Sequence, residues 1–351
     1  MIKSENGMLA VYTYSHFCVD AVCSFILWNR MQENEISVVL LLLLYHALAF
    51  AFQPIIGYVC DKHKSLKVGI MGTGFVSAAL LISTVLPIVS VLIAGLGNAF
   101  FHLEGGYVSL HREKRNIGPG GVFVSGGALG IGLGSVCGRF LTHVGYINIL
   151  FLLIAISSFI LTLLTNVDMK LRKKSGAFGI VRKDISTEMA LGLICISVFV
   201  RGYAGLIYPV YGLEGKNKII ILAVTMFLAK FVGGMMADRF GIRRIAVISQ
   251  AVAAICLIAS RSTIIGCIGI FLLNIPMAVT LAALSDCLPE NTGLAFGMAP
   301  LCLFAGMVFT YGYAPKGHDS NIICMALLLI TAVLFMIFIN KNEIKEHNDG
   351  K

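Results

Sequence analysis

Gly57-Tyr58-Val59-Cys60-Asp61-Lys62-His63-Lys64-Ser65-Leu66-Lys67 and Gly234-Met235-Met236-Ala237-Asp238-Arg239-Phe240-Gly241-Ile242-Arg243-Arg244 are two versions of one block. Each follows an apolar run, and Asp61 and Asp238 lie 177 positions apart in a chain of 351 residues. A repeat at half the chain length predicts two similar halves. In so apolar a chain the halves are expected to be bundles of transmembrane helices that rock against each other. Physically the block reads as a tight helix–loop–helix turn. Gly57 and Gly234 permit close helix approach, and the aspartate four residues later is set to pair with backbone donors or basic residues at the start of the next helix. A positive loop with a turn glycine would account for one copy, but two copies at matching places favour a shared role.

Hydrophobic residues make up 58% of the chain and charged residues 13%, with a mean hydropathy of +0.88. A soluble domain carries about 25% charged residues, so this chain has too little polar surface to face water on all sides. The net charge of +9 resides in short loops between apolar runs, not on one arm, which argues against a nucleic-acid partner. The ten cysteines show no zinc-type spacing and lie mostly inside apolar runs, so no disulfide framework, metal site or cofactor is expected. Residues Met1 to Gly7 are polar and the first apolar run already carries His16 and Asp20, which predicts no cleavable signal.

Apolar runs long enough to cross a bilayer core recur throughout. Spans are expected near residues 8–29, 36–59, 67–86, 88–110, 118–142 and 146–166, then near 187–211, 217–237, 243–260, 262–285, 292–313 and 320–340. The predicted architecture is therefore all-α and integral to the membrane, with about twelve transmembrane helices in two pseudo-symmetric six-helix bundles. Residues 1–166 form the first bundle, 167–186 a cytoplasmic linker, 187–340 the second bundle and 341–351 a cytoplasmic tail. With both termini inside, 19 Lys and Arg residues fall on the cytoplasmic side and five on the other. That bias fits the positive-inside rule and an even number of spans in a cell (plasma or inner) membrane.

On the residues of the repeated block the chain resembles the major facilitator superfamily, whose loop between helices two and three carries a Gly-x-x-x-Asp-Arg/Lys-x-Gly-Arg/Lys-Arg/Lys pattern, echoed between helices eight and nine. The second copy matches through Gly234, Asp238, Arg239, Gly241, Arg243 and Arg244. The first keeps Gly57, Asp61 and Lys62, with Lys64 in place of the loop glycine and Ser65 in place of a basic residue. The resemblance implies a secondary transporter in which these residues gate. A narrower resemblance, to fosmidomycin-resistance-type efflux carriers, rests on His16 and Asp20 with Phe101-His102-Leu103-Glu104-Gly105-Gly106, where Leu103 replaces the usual proline. It implies proton-coupled efflux of a small organic compound.

Ionisable groups inside the hydrocarbon cost about 2.5–3.5 kcal/mol each on translocon scales, so they are expected to face the bundle interior or a wet cavity. The candidates for substrate binding or proton coupling are Asp20, His16, Glu104, His102, Asn98, His46, Arg201, Lys230 and Asn274. His16 and Asp20, four apart, share one helical face, which makes Asp20 the first choice as the coupling site. Asn98 shares a face with His102, whereas Glu104 lies about 200° away on an ideal helix, unless Gly105-Gly106 distorts it. Glu104 is then either a coupling carboxylate or the buried partner of a basic side chain, and His-x-Glu is not expected to be a metal site. Arg201 and Lys230, if they face a central cavity, favour an anionic or partly anionic substrate. Arg139, near a helix end, is placed to snorkel. Gly126, Gly130, Gly134 and Gly138 form a small-residue stripe for helix packing, with Gly127 and Gly132 beside it.

These features predict a secondary active transporter of a small organic solute, working by alternating access with H⁺ or another ion as the coupling ion, and not an enzyme. Two other readings remain open at this level. One is an integral-membrane enzyme using His102 and Glu104 as an acid–base pair, and the other is a transporter-like sensor that moves nothing.

Overall fold

The computed structural model describes residues 2–31, 38–63, 67–112, 116–165, 167, 178–259 and 261–341. Their regular structure is helical apart from two isolated bridges. In chain order the helices are α1 (Glu5–Met31), α2 (Val38–His46), α3 (Gln53–Lys62), α4 (Val68–Ile82), α5 (Pro87–Leu110), α6 (Gly118–Phe140) and α7 (Ile147–Leu164). They continue with α8 (Thr187–Ile207), α9 (Gly215–Phe240), α10 (Ile242–Cys256), α11 (Thr263–Asn274), α12 (Met277–Cys287), α13 (Thr292–Gly312) and α14 (Gly317–Phe338). Among the described residues ten stretches are long and apolar enough to cross a membrane, two of them, Val39–Lys62 and Thr263–Cys287, being composite. The segments expected as spans 67–86 and 243–260 form shorter helices, α4 and α10. Lys64 and Ser65 of the first block, most of the linker and the tail lie outside the described residues.

Large apolar side chains turn outward along the whole belt, with Val85 and Ile258 each 78% exposed and Ile264 72%. A water-soluble chain does not leave so continuous an apolar surface, whereas acyl chains cover it. Buried polar side chains gather on the inward faces of α1, α5 and α8.

The glycine stripe of α6 sets the tightest interface. A Cβ at Gly126, Gly130, Gly134 or Gly138 would stand 2.4, 2.3, 2.1 or 2.9 Å from the carbonyl oxygens of Thr13, Phe17, Ala21 and Phe25 on α1. Both series step by four residues in the same direction, so α1 and α6 run parallel with one helical ridge against the bare backbone of the other. Gly132 and Gly121 continue the approach on another face of α6, against Ala223 and the Lys230 carbonyl of α9.

Two spans are interrupted, and each break has a proline. Between α2 and α3 the chain makes a π-helical turn, Ala47–Ala51, in which the Phe52 amide reaches back to the Ala47 carbonyl at 3.2 Å. Pro54 has no N–H for the Phe50 carbonyl, and the wider turn relieves the ring's clash with the preceding turn. Gln53 then caps the Ala49 carbonyl at 2.7 Å. Between α11 and α12 the helix breaks at Ile275-Pro276. Gln250 of α10 donates to the Leu272 and Leu273 carbonyls at 3.3 and 3.4 Å, the first of which also accepts from the Ile275 amide at 3.3 Å. Gly233 lets α9 pass the Ile275 carbonyl, which lies 2.4 Å from where a Cβ would be. Gln250→Leu is expected to lower stability by about 1 kcal/mol, because a buried acceptor loses its donor. Thermal unfolding in detergent measures it, and an unchanged midpoint would mean that those carbonyls are satisfied without Gln250.

The repeated aspartates accept from backbone amides of an opposing helix. Asp61, at the end of α3, accepts from the backbone amides of Gly293 and Leu294 at 2.9 Å each, at the start of α13. Asp238, at the end of α9, accepts from Ile117 and Gly118 at 2.9 and 2.8 Å, at the start of α6. These amide donors belong to a helix far away in the chain. The two targets are themselves 176 positions apart, so the clasps are related by the same repeat as the block. The glycines explain the choice. A Cβ at Gly57 would sit 2.2 Å from the Gly293 carbonyl oxygen, and one at Gly234 2.9 Å from the Gly118 Cα. The nearest unpaired helix N-terminus is therefore the one on the opposing helix, where both the free amides and the helix dipole favour a carboxylate.

The basic members of the blocks lie around these clasps. Lys62 sits 4.4 Å over the Tyr58 ring, Arg239 5.4 Å from the Phe240 ring, and Arg243 donates to the Met336 carbonyl at 2.6 Å. Arg244 is exposed. Gly241 takes φ 97°, a left-handed conformation that ends α9 and turns the chain into α10.

Candidate functional site

The buried polar centre is built where α1 crosses α5 and α6. His16 and Asp20 project from one face of α1 with His16 Nε2 3.2 Å from Asp20 Oδ2. Asn98 and His102 project from one face of α5 and meet them. Asn98 Nδ2 donates to Asp20 Oδ1 at 2.7 Å, and His102 Nε2 stands 2.7 Å from His16 Nε2. The second carboxylate oxygen, Oδ1, is 3.9 Å from His102 Nε2. Phe101 and Phe123 wall the imidazoles. Gly127 makes room for them, since a Cβ there would lie 2.4 Å from both Asp20 Oδ2 and His16 Nε2.

The tautomers follow from the partners. His16 Nδ1 faces the Phe123 carbonyl at 2.8 Å, and His102 Nδ1 faces the Asn98 carbonyl at 2.8 Å. A carbonyl only accepts, so both Nδ1 atoms carry hydrogen. If both rings were neutral, two Nε2 lone pairs would face each other at 2.7 Å. A proton between them removes the conflict and also neutralises Asp20. The charge-balanced form is one imidazolium, one imidazole and one carboxylate.

The same three residues place their ligand atoms within 4.8 Å of one another, the donor types of a borderline divalent metal. No spacing in the sequence points to such a set, and none was expected. Two nitrogens each about 2.0–2.1 Å from one tetrahedral ion would be about 3.3 Å apart. At 2.7 Å the imidazoles are closed around a hydrogen bond.

Glu104 takes no part in this cluster. It is buried against α4, where it accepts from the Gly69 amide at 2.9 Å and from the Tyr12 hydroxyl. Its hydrogen-bond partners are a helix N-terminus and a phenol. His102 and Glu104 reach different neighbours, as their separation around the helix predicts. The helix is not distorted at Gly105-Gly106, because Gly105 is needed against Phe123 and Gly106 against Phe296. His46 turns its Nδ1 to the Leu42 carbonyl at 2.7 Å and packs on Phe50, with ring centroids 5.4 Å apart. It joins neither the cluster nor the cavity wall. Arg139 lies over Trp28, 3.2 Å from the ring.

Arg201 and Lys230 do face a cavity, of about 230 Å³, together with Asn274. Arg201 is 7% exposed and its Nη1 donates to Thr280 Oγ1 at 3.0 Å. Asn274 Nδ2 donates to the Ile270 carbonyl at 2.9 Å. Phe50, carried by the π-turn, and Met277, just past the Pro276 break, line the same cavity. Both interrupted spans thus meet at it, which is where discontinuous helices place ligand sites in membrane carriers. Lys230, on α9, shares this cavity wall with Arg201.

Sequence reasoning missed Tyr12, Phe123, Gln250 and the Pro276 break, and read Gly127 only as a neighbour of the packing stripe. Pro54 and Pro276 were the available signals for the two interruptions, whereas the contacts of Tyr12, Phe123 and Gly127 carry no local signature.

No protein-family model and no curated protein sequence matches the chain. Solved structures do. A variant of the E. coli fucose:proton symporter FucP matches at 14% identity and TM-score 0.68, over 95% of this chain and 97% of that one. FucP in an outward conformation, described as a major facilitator superfamily transporter, matches at 14% identity and TM-score 0.67, over 94% and 96%. The human organic anion transporter MFSD10 matches at 12% identity and TM-score 0.72, over 95% and 100%. The chain has the multi-pass helical fold of major facilitator transporters along nearly its whole length.

Proposed function

We propose that this protein is a secondary active transporter that couples movement of a small organic solute, at least partly anionic, to H⁺ by alternating access. Twelve spans would form two six-helix bundles, residues 1–166 and 187–340, with linker 167–186, tail 341–351 and both termini on the cytoplasmic side of the cell membrane. The observation that carries the reading is the imidazole pair at 2.7 Å, with both Nδ1 hydrogens already committed and a carboxylate alongside. Such a cluster binds one proton and changes shape when it leaves. Losing the proton leaves two opposed lone pairs and an uncompensated Asp20 charge, for which Lys230 of α9 would be the candidate counter-charge in another state of the carrier.

Proton occupancy at α1–α5 would thereby bias the position of α9, and with it the clasp at Asp238. A ligand or proton shifts such an equilibrium only by its differential affinity for the two states, and this cluster supplies that difference. The narrower likeness to fosmidomycin-resistance-type carriers, and with it an antiport or efflux direction, rests on the residues around His16, Asp20 and His102 alone. An acid–base enzyme using His102 and Glu104 is disfavoured by their separate surroundings, and flux distinguishes a carrier from a sensor. In proteoliposomes with an imposed pH gradient, a panel of labelled sugars, amino acids and organic acids is expected to include at least one solute whose accumulation collapses with a protonophore. Accumulation that ignores the protonophore would remove proton coupling, and no flux of any solute despite binding would favour the sensor.

A further inference from the structure

Arg201 presents an unusual combination. It is nine-tenths buried, one guanidinium nitrogen is tied to Thr280, and the other, Nη2, has no hydrogen-bond partner. Lys230 stands in the same cavity wall, and among the described residues neither cation forms an ion pair. A desolvated guanidinium with an open donor edge is costly unless an anion completes it, and its fork matches an oxyacid head. The rest of the wall is of opposite character. Phe50, Phe304, Met226, Met277 and Met307 surround the two cations. Among the described residues the only other polar side chain there, Asn274, has its amide nitrogen committed to the Ile270 carbonyl.

A polyhydroxylated solute would leave most of its hydroxyls facing carbon and sulfur, each an unsatisfied group. An inorganic anion would leave the apolar wall without a partner. The cavity, at about 230 Å³, falls below the roughly 300–1,000 Å³ typical of sites for drug-sized ligands, which limits the body to about one ring. Methionines on three sides tolerate variation in its shape.

We infer that the solute is a small amphipathic organic anion, its single acidic head held between Arg201 and Lys230 and its apolar body against Phe50, Phe304 and the methionines, an assignment that rests on the transporter function proposed above. A carboxylate, sulfonate or phosphonate head would satisfy Arg201 Nη2. Its charge would also draw Lys230 away from Asp20, so solute and proton would compete for the same lysine from opposite sides.

The probe is benzenesulfonate, which stays anionic at every usable pH, titrated calorimetrically into the purified full-length protein. Benzenesulfonamide supplies the same body without the charge, methanesulfonate the head without the ring, and fucose a polyhydroxylated solute. Benzenesulfonate is expected to bind at least about tenfold more tightly than each of the three, as loss of a charge-assisted contact or of a buried ring implies. Arg201→Gln and Lys230→Met should each weaken it by about tenfold or more, and Arg201→Lys by less. Equal binding of benzenesulfonamide, methanesulfonate or fucose, full affinity in the variants, or no binding of benzenesulfonate would each overturn the assignment. If Arg201→Gln does not elute as a folded species, Arg201→Lys and Lys230→Met decide the matter. Proton-coupled flux of other solutes that benzenesulfonate leaves untouched would overturn the ligand class but not the transporter. Binding with the predicted variant pattern and no flux of any solute would overturn the transporter but not the site.

Discussion

Asp20→Asn is expected to abolish pH-gradient-driven accumulation while leaving a folded protein that still exchanges solute down its own gradient. The substitution is nearly isosteric and keeps an oxygen to accept from Asn98 Nδ2, now 2.7 Å from Asp20 Oδ1. What it removes is the charge beside the imidazoles. The proton shared by His16 and His102 then has no counter-charge, and the carboxylate oxygen 3.2 Å from His16 Nε2 is replaced by a neutral amide. A hydrogen bond to a charged group is worth about 1.5–3 kcal/mol, so the cluster's proton affinity should fall about ten- to hundredfold. Lys230 simultaneously loses the anion that would draw it when the proton leaves. Both consequences act on coupling and neither on the apolar core, so gel filtration and thermal unfolding should change little. Counterflow measured without a pH gradient separates the two effects. Full ΔpH-driven accumulation by the variant would remove Asp20 from the mechanism.

The reach of the sequence differed from one group to the next, for physical reasons. His16 and Asp20 were legible as a pair because one helix fixes the geometry of residues four apart. The same rule grouped Asn98 with His102 and set Glu104 apart. That the two pairs meet across α1 and α5 depends on tertiary packing, which no local spacing encodes. The four-residue glycine stripe announced a close helix contact and not its partner. Gly127, just off that stripe, matters more to the site than its members, because its missing Cβ is the space the imidazole occupies. Arg201 and Lys230 stood out because charge inside a membrane is costly, yet their shared cavity depends on two helix breaks. The repeated block disclosed the duplication, whereas the partners of Asp61 and Asp238 lie more than a hundred positions away.

The double variant Asp61→Asn, Asp238→Asn is expected to spring apart the end of the molecule at which α3 meets α13 and α9 meets α6. Each carboxylate accepts two backbone amides at 2.8–2.9 Å. An asparagine can accept only with its single oxygen, and its amide nitrogen would confront the second N–H donor to donor. Each clasp therefore loses one charge-assisted bond, worth about 1.5–3 kcal/mol, together with part of the favourable helix-dipole term of about 0.3–1 kcal/mol. Because the two clasps hold the same end, their losses add in the balance between closed and open forms. The sum, about 3 kcal/mol or more, moves that ratio by roughly a hundredfold, enough to turn a minor open form into a substantial one. Each single variant should shift it by about tenfold, and by similar amounts, since the two clasps are alike in geometry. Spin labels at Asn116, before α6, and at Phe240, ending α9, straddle the seam at an exposed rim. Electron–electron resonance between them, with accessible native cysteines replaced, should show a longer-distance population that grows from wild type through the single variants to the double. An unchanged distance distribution in the double variant would mean that this seam is held by the glycine-backed helix contacts alone. In that case Asp61 and Asp238 would contribute stability to both forms equally and exert no control over which one is populated.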